Sequence, residues 1–190
     1  MKRIFLTLCI GISTLGFSQE SEETEFNVAD RKHELRIDAT EALIVPAIEI
    51  NYEYVLSKYS GVGGSVSFTI EDDQDYEQDY AVNAYYRQYF FNKKDFGARG
   101  FFAEGLLQYT GGTTLDDFFE VTDPVTGNGI IISTEEDWTA FGIGFAIGQK
   151  WVSRNGFIVE INAGGGRNLS SDEAAPDAFF RGGVLVGYRF

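Results

Sequence analysis

The chain has 190 residues, of which 29 are acidic and 15 basic, for a formal net charge of −14 at pH 7. A chain this acidic would be repelled by nucleic acid, which excludes that class of partner. The length is typical of a single domain. A composition of 17 Phe, 10 Tyr and 22 Gly with only 3 Pro favours strands and turns over helices.

Residues 1–18 are typical of a secretory signal peptide, because Lys2 and Arg3 precede an apolar stretch that runs to Phe17. The stretch is too short for a spanning helix, which needs roughly 20 apolar residues. We therefore predict cleavage near Ser18. Cleavage there would remove two basic residues and no acid, and would move the formal charge from −14 to −16.

The single cysteine, Cys9, lies inside this leader. The mature chain is therefore expected to contain no disulfide and no cysteine metal site. A lipoprotein interpretation is the alternative, but it places the cysteine after the apolar stretch rather than within it. We expect residues 19–32 to form a mobile periplasmic tail.

From His33 onward, apolar and polar residues alternate with period two in eight segments, the pattern of strands whose faces meet different surroundings. The apolar positions begin, in chain order, with Leu35, Ile48, Val62, Val82, Phe101, Phe141, Phe157 and Phe180. Segments of roughly 8 to 12 residues approach the 9 to 11 that a tilted strand needs to cross a bilayer. In lipid, only a closed barrel provides hydrogen-bond partners for the backbone N–H and C=O groups of every strand. We predict an all-β, eight-stranded antiparallel up-and-down transmembrane barrel over residues 33–190.

The predicted connections alternate in length and charge. Three short turns, at 57–61, 92–99 and 152–156, contain five basic residues and one acid. Apart from a tight connection near Pro46, the opposite loops are longer and contain sixteen acids and the single base Arg167; they span 71–79, 110–137 and 165–178. Short periplasmic turns with longer external loops are typical of outer-membrane barrels.

Aromatic residues fall where such strands would meet the two membrane interfaces, as in the girdles of membrane barrels. The predicted inner girdle contains Tyr54, Tyr59, Phe90, Phe101, Trp151, Tyr188 and Phe190, and the predicted outer girdle contains Tyr80, Tyr109, Trp138 and Phe180. In the long third loop, Phe118, Phe119 and Ile130 to Ile132 are apolar among acids. We expect them to extend two strands as a hairpin; an exposed recognition patch is the alternative.

Over residues 33–190 the chain resembles the small eight-stranded outer-membrane barrels of the OmpA and OmpX type, in strand number, loop alternation and ending. Its opening strands are similar to a subgroup that consists of the barrel alone, without a peptidoglycan-binding domain. The resemblance implies that the final strand carries an assembly signal read by the barrel-assembly machinery. The residues that match this signal are Val184, Val186, Tyr188 and Phe190.

If the apolar face meets lipid, the opposite face places a charged set in the lumen. Its members are Glu34, Arg36, Asp38, Glu49, Glu53, Arg87, Glu104, Lys150, Glu160, Arg181 and Arg189. Charges in a narrow interior must be paired, and eight strands leave just enough room for side chains. We predict a salt-bridged plug, in which glycines of the sixth strand make room for Tyr85, Phe102 or Leu106. A conducting path along the charges is the alternative.

The sequence offers little for catalysis. The single histidine, His33, is expected to be a solvated boundary residue, and it supports neither a zinc site nor a Ser-His-Asp triad. Carboxylate chemistry at Glu49 and Glu53 is less favoured than their pairing with luminal arginines. We therefore predict a protein that is not an enzyme and has no cofactor.

One acidic loop is a weak metal candidate. Asp72, Asp73 and Asp75 carry the oxygen ligands that calcium prefers. The loop lacks the glycine and terminal glutamate of an EF-hand, and a solvated, self-repelling loop is the favoured interpretation.

Three hypotheses follow. The first is a monomeric, non-enzymatic barrel in the outer membrane of a Gram-negative bacterium, in contact with lipid and lipopolysaccharide, whose loops contribute to envelope integrity, adhesion or ligand contact. The second is a narrow channel for ions or small solutes. The third is a soluble lipocalin-like barrel whose apolar face lines a ligand pocket.

Overall fold

The computed structural model describes residues 28–44, 47–70, 78–90, 97–122, 129–169, 172 and 174–190. The strands are β1 (His33–Asp38), β2 (Ala47–Ser57), β3 (Ser60–Thr69), β4 (Gln78–Phe90), β5 (Gly100–Thr122), β6 (Gly129–Val152), β7 (Phe157–Asn168) and β8 (Ala178–Arg189). Each strand pairs antiparallel with the next, and β1 pairs with β8, so the sheet closes into an up-and-down barrel. The predicted all-β, eight-stranded antiparallel up-and-down barrel is confirmed.

The two ends of the barrel differ in their connections. We call the end with the β2–β3, β4–β5 and β6–β7 connections the turn end, and the opposite end the loop end. On every strand large apolar side chains face outward, and the predicted luminal charges face inward with small, neutral polar and some aromatic or aliphatic side chains, as the burial pattern of Ala47–Ser57 illustrates. The lipocalin-like hypothesis is therefore wrong, because it requires the apolar face to line the interior.

A short helix, α1 (Ala39–Ile44), connects β1 to β2 at the loop end. The sequence predicted a tight connection near Pro46, whereas residues 39–44 of this connection form a helix. Asp38 ends the strand because its Oδ1 accepts hydrogen bonds from the Thr40 and Glu41 backbone amides at 2.7 and 3.2 Å, as an N-cap. Among the described residues, no helix is long and apolar enough to cross a membrane.

β5 and β6 are about twice as long as their neighbours, at 23 and 24 residues. They pair continuously from Gly100↔Lys150 to Thr122↔Gly129, whereas β4 stops pairing with β5 at Gly112. Residues 113–122 and their partners therefore form a two-stranded ribbon that extends roughly 30 Å beyond the barrel wall. The predicted extension of these strands as a hairpin is confirmed.

Residues 28–32, which precede β1, pack against the turn end of the barrel. Val28 is buried with Val152 and Ile158, and the Lys32 carbonyl accepts a hydrogen bond from the Val55 amide at 2.8 Å. Residues 28–32, which were predicted to belong to a mobile tail, are therefore held against the barrel by an apolar side chain and a backbone hydrogen bond. Residues 19–27 of that predicted tail, like the predicted leader at 1–18, lie outside the described part of the chain.

Candidate functional site in the barrel interior

The barrel interior contains all eleven charged side chains that the alternation assigned to the lumen. Each of them is at most 7% exposed. The alternation placed them correctly because a strand turns successive side chains to opposite faces without exception over its regular length. The inward-facing positions of the strands therefore bring these charged side chains together in the narrow lumen.

A network of charged hydrogen bonds crosses the middle of the lumen. The Arg36 guanidinium donates to Glu53 at 2.8 Å and to Glu160. Arg87 donates to the same carboxylates, at 2.9 Å to Glu53 and 2.8 Å to Glu160, and its Nε donates to Glu104 at 2.6 Å. These residues come from five strands. The network therefore links opposite walls of the barrel, as the predicted salt-bridged plug requires.

The same network continues to the turn end. Lys150 Nζ donates to Glu34 at 2.7 Å and to Glu53 at 3.0 Å. Arg189 Nε donates to Glu34 at 2.8 Å, and its guanidinium also donates to the backbone carbonyls of Gly97 and Ala98, each at 2.8 Å. Gly97 and Ala98, which precede β5, are thus held beneath the lumen, and they lie at the turn end together with Val28.

Aromatic side chains fill the space around the charges, and glycines make room for them. A Cβ on Gly148 would lie 2.5 Å from Phe102, and one on Gly144 would lie 3.2 Å from Leu106. Phe102 in turn lies against Arg87, with the guanidinium carbon 4.3 Å from the ring centroid. The predicted role of sixth-strand glycines holds for Phe102 and Leu106. For Tyr85 the space comes instead from Gly63 of β3, where a Cβ would lie 2.5 Å from the phenol oxygen.

Towards the loop end, the described part of the network contains a single cationic side chain, that of Arg181. Arg181 donates to Glu104 at 2.8 Å and to Glu49 at 3.0 Å. Glu49 also accepts a hydrogen bond from Asn51 at 2.8 Å. Beyond this layer the inward residues of the strands are mostly neutral.

A cavity of about 410 Å³ lies at the loop end, lined mostly by neutral side chains together with Glu41, Glu49 and Arg181. Five of its lining side chains contain a buried polar atom that finds no hydrogen-bond partner among the described residues. These atoms are Glu41 Oε2, Asn83 Oδ1, Gln108 Oε1, Trp138 Nε1 and Asn168 Oδ1. Native interiors pair nearly all such groups; in the rest of the lumen only Arg36 Nε and Arg87 Nη2 lack a partner among the described residues, so most of the unpartnered atoms belong to residues that line this cavity.

The carboxyl of Glu41 lies at the rim of this cavity, on α1. Burial raises the pKa of Glu41 to about 8, and the Glu49 and Asp38 carboxylates add to the rise, while Arg181 opposes it. A carboxyl with this pKa is mostly protonated at pH 7 and can donate a hydrogen bond.

Trp138 was predicted to belong to the outer aromatic girdle, and that prediction was wrong. The side chain is only 2% exposed and lines the cavity. Its even position on β6 shares the inward face with Ala140, whereas Phe141 on the other parity is 47% exposed. The alternation of side chains along β6 therefore assigns Trp138 to the inward face. The prediction was wrong because it relied on the position of Trp138 near the expected membrane interface.

The remaining predicted residues lie elsewhere. Val184, Val186, Tyr188 and Phe190 all face outward and are 39–56% exposed. His33 is exposed at the turn end, where its ring stacks on Phe190 with centroids 5.9 Å apart. The weak metal candidates Asp72, Asp73 and Asp75 lie outside the described residues. Within the described ranges, no group of three or more His, Cys, Asp or Glu residues could hold a metal ion.

Comparison with known proteins finds no matching family model and no matching curated protein. Among solved structures, the chain is similar to the crystal structure of the N-terminal beta-barrel domain of Pseudomonas aeruginosa OprF, with a TM-score of 0.47 and 15% sequence identity. The similarity covers 84% of this chain and 96% of that chain.

Proposed function

We propose that the chain is an integral, non-enzymatic barrel of the outer membrane of a Gram-negative bacterium, with a lumen sealed by its ion-pair network. The observation that carries this proposal is the outer surface. All eight strands contribute large apolar side chains that are 38–77% exposed. Soluble monomers rarely expose contiguous apolar patches larger than a few hundred Å², whereas lipid covers such a surface on a membrane barrel.

The height of this apolar belt fits a bilayer. On β6 the outward positions from Phe141 to Trp151 read Phe, Ile, Phe, Ile, Gln and Trp. Ten residues at about 3.3 Å each, tilted by roughly 40°, rise about 25 Å, which is the height of the apolar band on outer-membrane barrels. Lipid and, at the loop end, lipopolysaccharide are the partners that this surface fits.

The orientation follows from the charges of the connections. The short, basic connections at the turn end fit the periplasmic side, and the long, acidic connections fit the external side. The outward residues Val184, Val186, Tyr188 and Phe190 would then act as the signal for the barrel-assembly machinery before they join the lipid-facing surface. The external loops and the β5–β6 ribbon are the parts available for envelope or adhesion contacts.

A conducting channel is the weaker alternative, because the network fills the lumen with fully buried side chains. Glu53 alone binds three cations: Arg36, Arg87 and Lys150. An ion would have to displace these contacts to pass. The same pairing argues against carboxylate catalysis at Glu53. Planar-bilayer recordings should show no steady ion conductance after insertion has been verified, and regular single-channel steps would favour the channel.

The two tryptophans permit a direct test of membrane embedding. Trp151 faces outward and is 46% exposed, whereas Trp138 lies inside the barrel. In vesicles of brominated phosphatidylcholine, Trp138→Phe, which keeps only Trp151, should lose most of its fluorescence to quenching. Trp151→Phe, which keeps only Trp138, should be quenched far less. Equal and weak quenching of both variants would contradict the proposal.

A further inference from the structure

The loop-end cavity contains polar atoms that the barrel itself does not use. Asn83, Gln108, Trp138 and Asn168 are each at most 8% exposed, each lines this one cavity, and each contains a buried polar atom without a hydrogen-bond partner among the described residues. A buried polar atom without a partner costs about 1–3 kcal/mol. Four such atoms belong to the lining of one cavity, so a ligand there that drew them into hydrogen bonds would recover this cost.

We propose that this cavity binds a small, neutral, polyhydroxylated solute of about monosaccharide size. The volume of about 410 Å³ lies at the small end of the roughly 300–1,000 Å³ found for ligand sites. The site presents an indole N–H donor at Trp138 and amide oxygens at Asn83, Gln108 and Asn168. A hydroxyl group both donates and accepts, so one class of ligand group satisfies every one of these atoms.

The charges around the cavity favour a neutral ligand. An anion would face Glu49 and three amide oxygens, and a cation would face Arg181, which is already shared between Glu49 and Glu104. The rim carboxyl of Glu41, whose pKa is about 8, is mostly protonated at pH 7 and adds a further neutral partner. Arg181 and Glu49 are paired with each other, so neither side chain presents an unpaired charge to an ionic ligand.

Aromatic walls complete the site. Trp138 and Phe179 both line the cavity. The Phe179 ring packs over two glycines of β6, since a Cβ on Gly142 or Gly144 would lie 2.7 or 2.9 Å from it. Apolar walls with a few convergent polar groups are the general composition of a small-molecule site, and they suit a ring with hydroxyls on its edge and C–H groups on its faces.

This inference goes beyond the proposed function, and it holds whether or not the lumen conducts. Trp151→Phe leaves Trp138 as the only tryptophan, so its fluorescence reports on the cavity. The refolded variant in detergent micelles is titrated with D-glucose, N-acetylglucosamine and D-mannitol, and with ethanolamine hydrochloride as a cationic comparison. We expect a saturable change with at least one polyol and none with ethanolamine. Trp138→Phe, in which only the outward Trp151 remains, should show no change.

Equilibrium dialysis with the radiolabelled polyols and ethanolamine measures the same binding without relying on tryptophan. Gln108→Leu should weaken polyol binding about tenfold, the loss expected for one hydrogen bond in a site where its partner is left unpaired. Gln149→Leu is the matched control, because Gln149 lies on the outward parity of β6, and its affinity should equal that of the wild type. The absence of saturable polyol binding by folded protein in both assays would overturn the proposal. So would binding of ethanolamine alone, or equal affinity in the two glutamine variants.

Discussion

The two halves of the lumen are built from the same wall of eight strands but are filled in opposite ways. At the turn end, Glu53 accepts hydrogen bonds from Arg36, Arg87, Lys150 and Tyr89 at 2.6–3.0 Å. At the loop end, mostly neutral side chains line a cavity together with Glu41, Glu49 and Arg181, and several of the lining residues contain polar atoms without partners among the described residues. The turn half of the lumen is therefore closed by paired side chains. In the loop half, several buried polar atoms have no hydrogen-bond partner among the described residues.

This difference shows that burial alone does not tell what a polar side chain contributes. Glu53 and Gln108 are 0% and 5% exposed. The first is held by several charged partners, while the second has an unpartnered oxygen. Removing a paired buried charge leaves its partners uncompensated, whereas removing an amide oxygen that has no partner among the described residues breaks no hydrogen bond to that oxygen. The same degree of burial thus predicts opposite effects of substitution.

The largest effect is expected for Glu53→Gln. The substitution leaves three buried cations with one carboxylate fewer, and breaking a buried pair in this way costs about 3–5 kcal/mol of unfolding free energy. Urea unfolding in lipid vesicles, followed by tryptophan fluorescence, measures the loss. Glu136→Gln, at an exposed position of the ribbon, should change stability by less than about 0.5 kcal/mol. Equal effects of the two substitutions would contradict the network's role.

Packing around the plug should give the next largest effect. An alanine at Gly148 would place its Cβ 2.5 Å from Phe102 and 2.6 Å from the Ile161 carbonyl oxygen. Overpacking of this kind costs about 1–3 kcal/mol. Gly105→Ala is the matched control on the adjacent strand, because nothing lies within 4 Å of its Cβ position. The same unfolding experiment should find Gly105→Ala close to the wild type. A Gly148→Ala variant as stable as Gly105→Ala would show that this part of the lumen is loosely packed.

A smaller, pH-dependent effect is expected at the cavity rim. Burial beside Asp38 and Glu49 raises the pKa of Glu41 from 4.5 to about 8, against the opposing influence of Arg181. As pH rises above 4.5, the unfolded chain releases this proton before the folded chain does, so Glu41 lowers stability progressively up to about pH 8. Glu41→Gln should therefore raise the unfolding free energy at pH 9, by on the order of 1 kcal/mol after solvent screening. At pH 4, Glu41→Gln should have little effect on the unfolding free energy. An equal gain in unfolding free energy at pH 4 and pH 9 would contradict this explanation.

The smallest effect is expected for Gln108→Leu. Its unpartnered oxygen contributes no hydrogen bond within the described chain, and replacing such a group with an apolar one of similar size is close to neutral. The unfolding free energy, measured without added solute, should stay within about 1 kcal/mol of the wild type. A loss of unfolding free energy as large as that of Glu53→Gln would mean that side chains in both halves of the lumen contribute equally to stability.

The sequence predicted the barrel and its charged interior because both depend on a simple alternation, which the strand backbone enforces from Leu35 to Tyr188. It missed α1, because Asp38 caps a helix in a segment that also fits the strand pattern. It missed the cavity, because inward amides such as Asn83 and Gln108 do not reveal which atoms remain unpartnered once the barrel closes. Pairing across the lumen depends on the stagger between strands, which alternation within one strand does not specify.

The most direct test of the account is the gel mobility of the mature chain after refolding into detergent micelles. A closed membrane barrel resists SDS until it is heated, so unboiled and boiled samples should migrate differently. Micelles are required because the outward belt of large apolar side chains needs a covering. Identical migration of the two samples, together with a folded and soluble protein in buffer without detergent, would contradict the account.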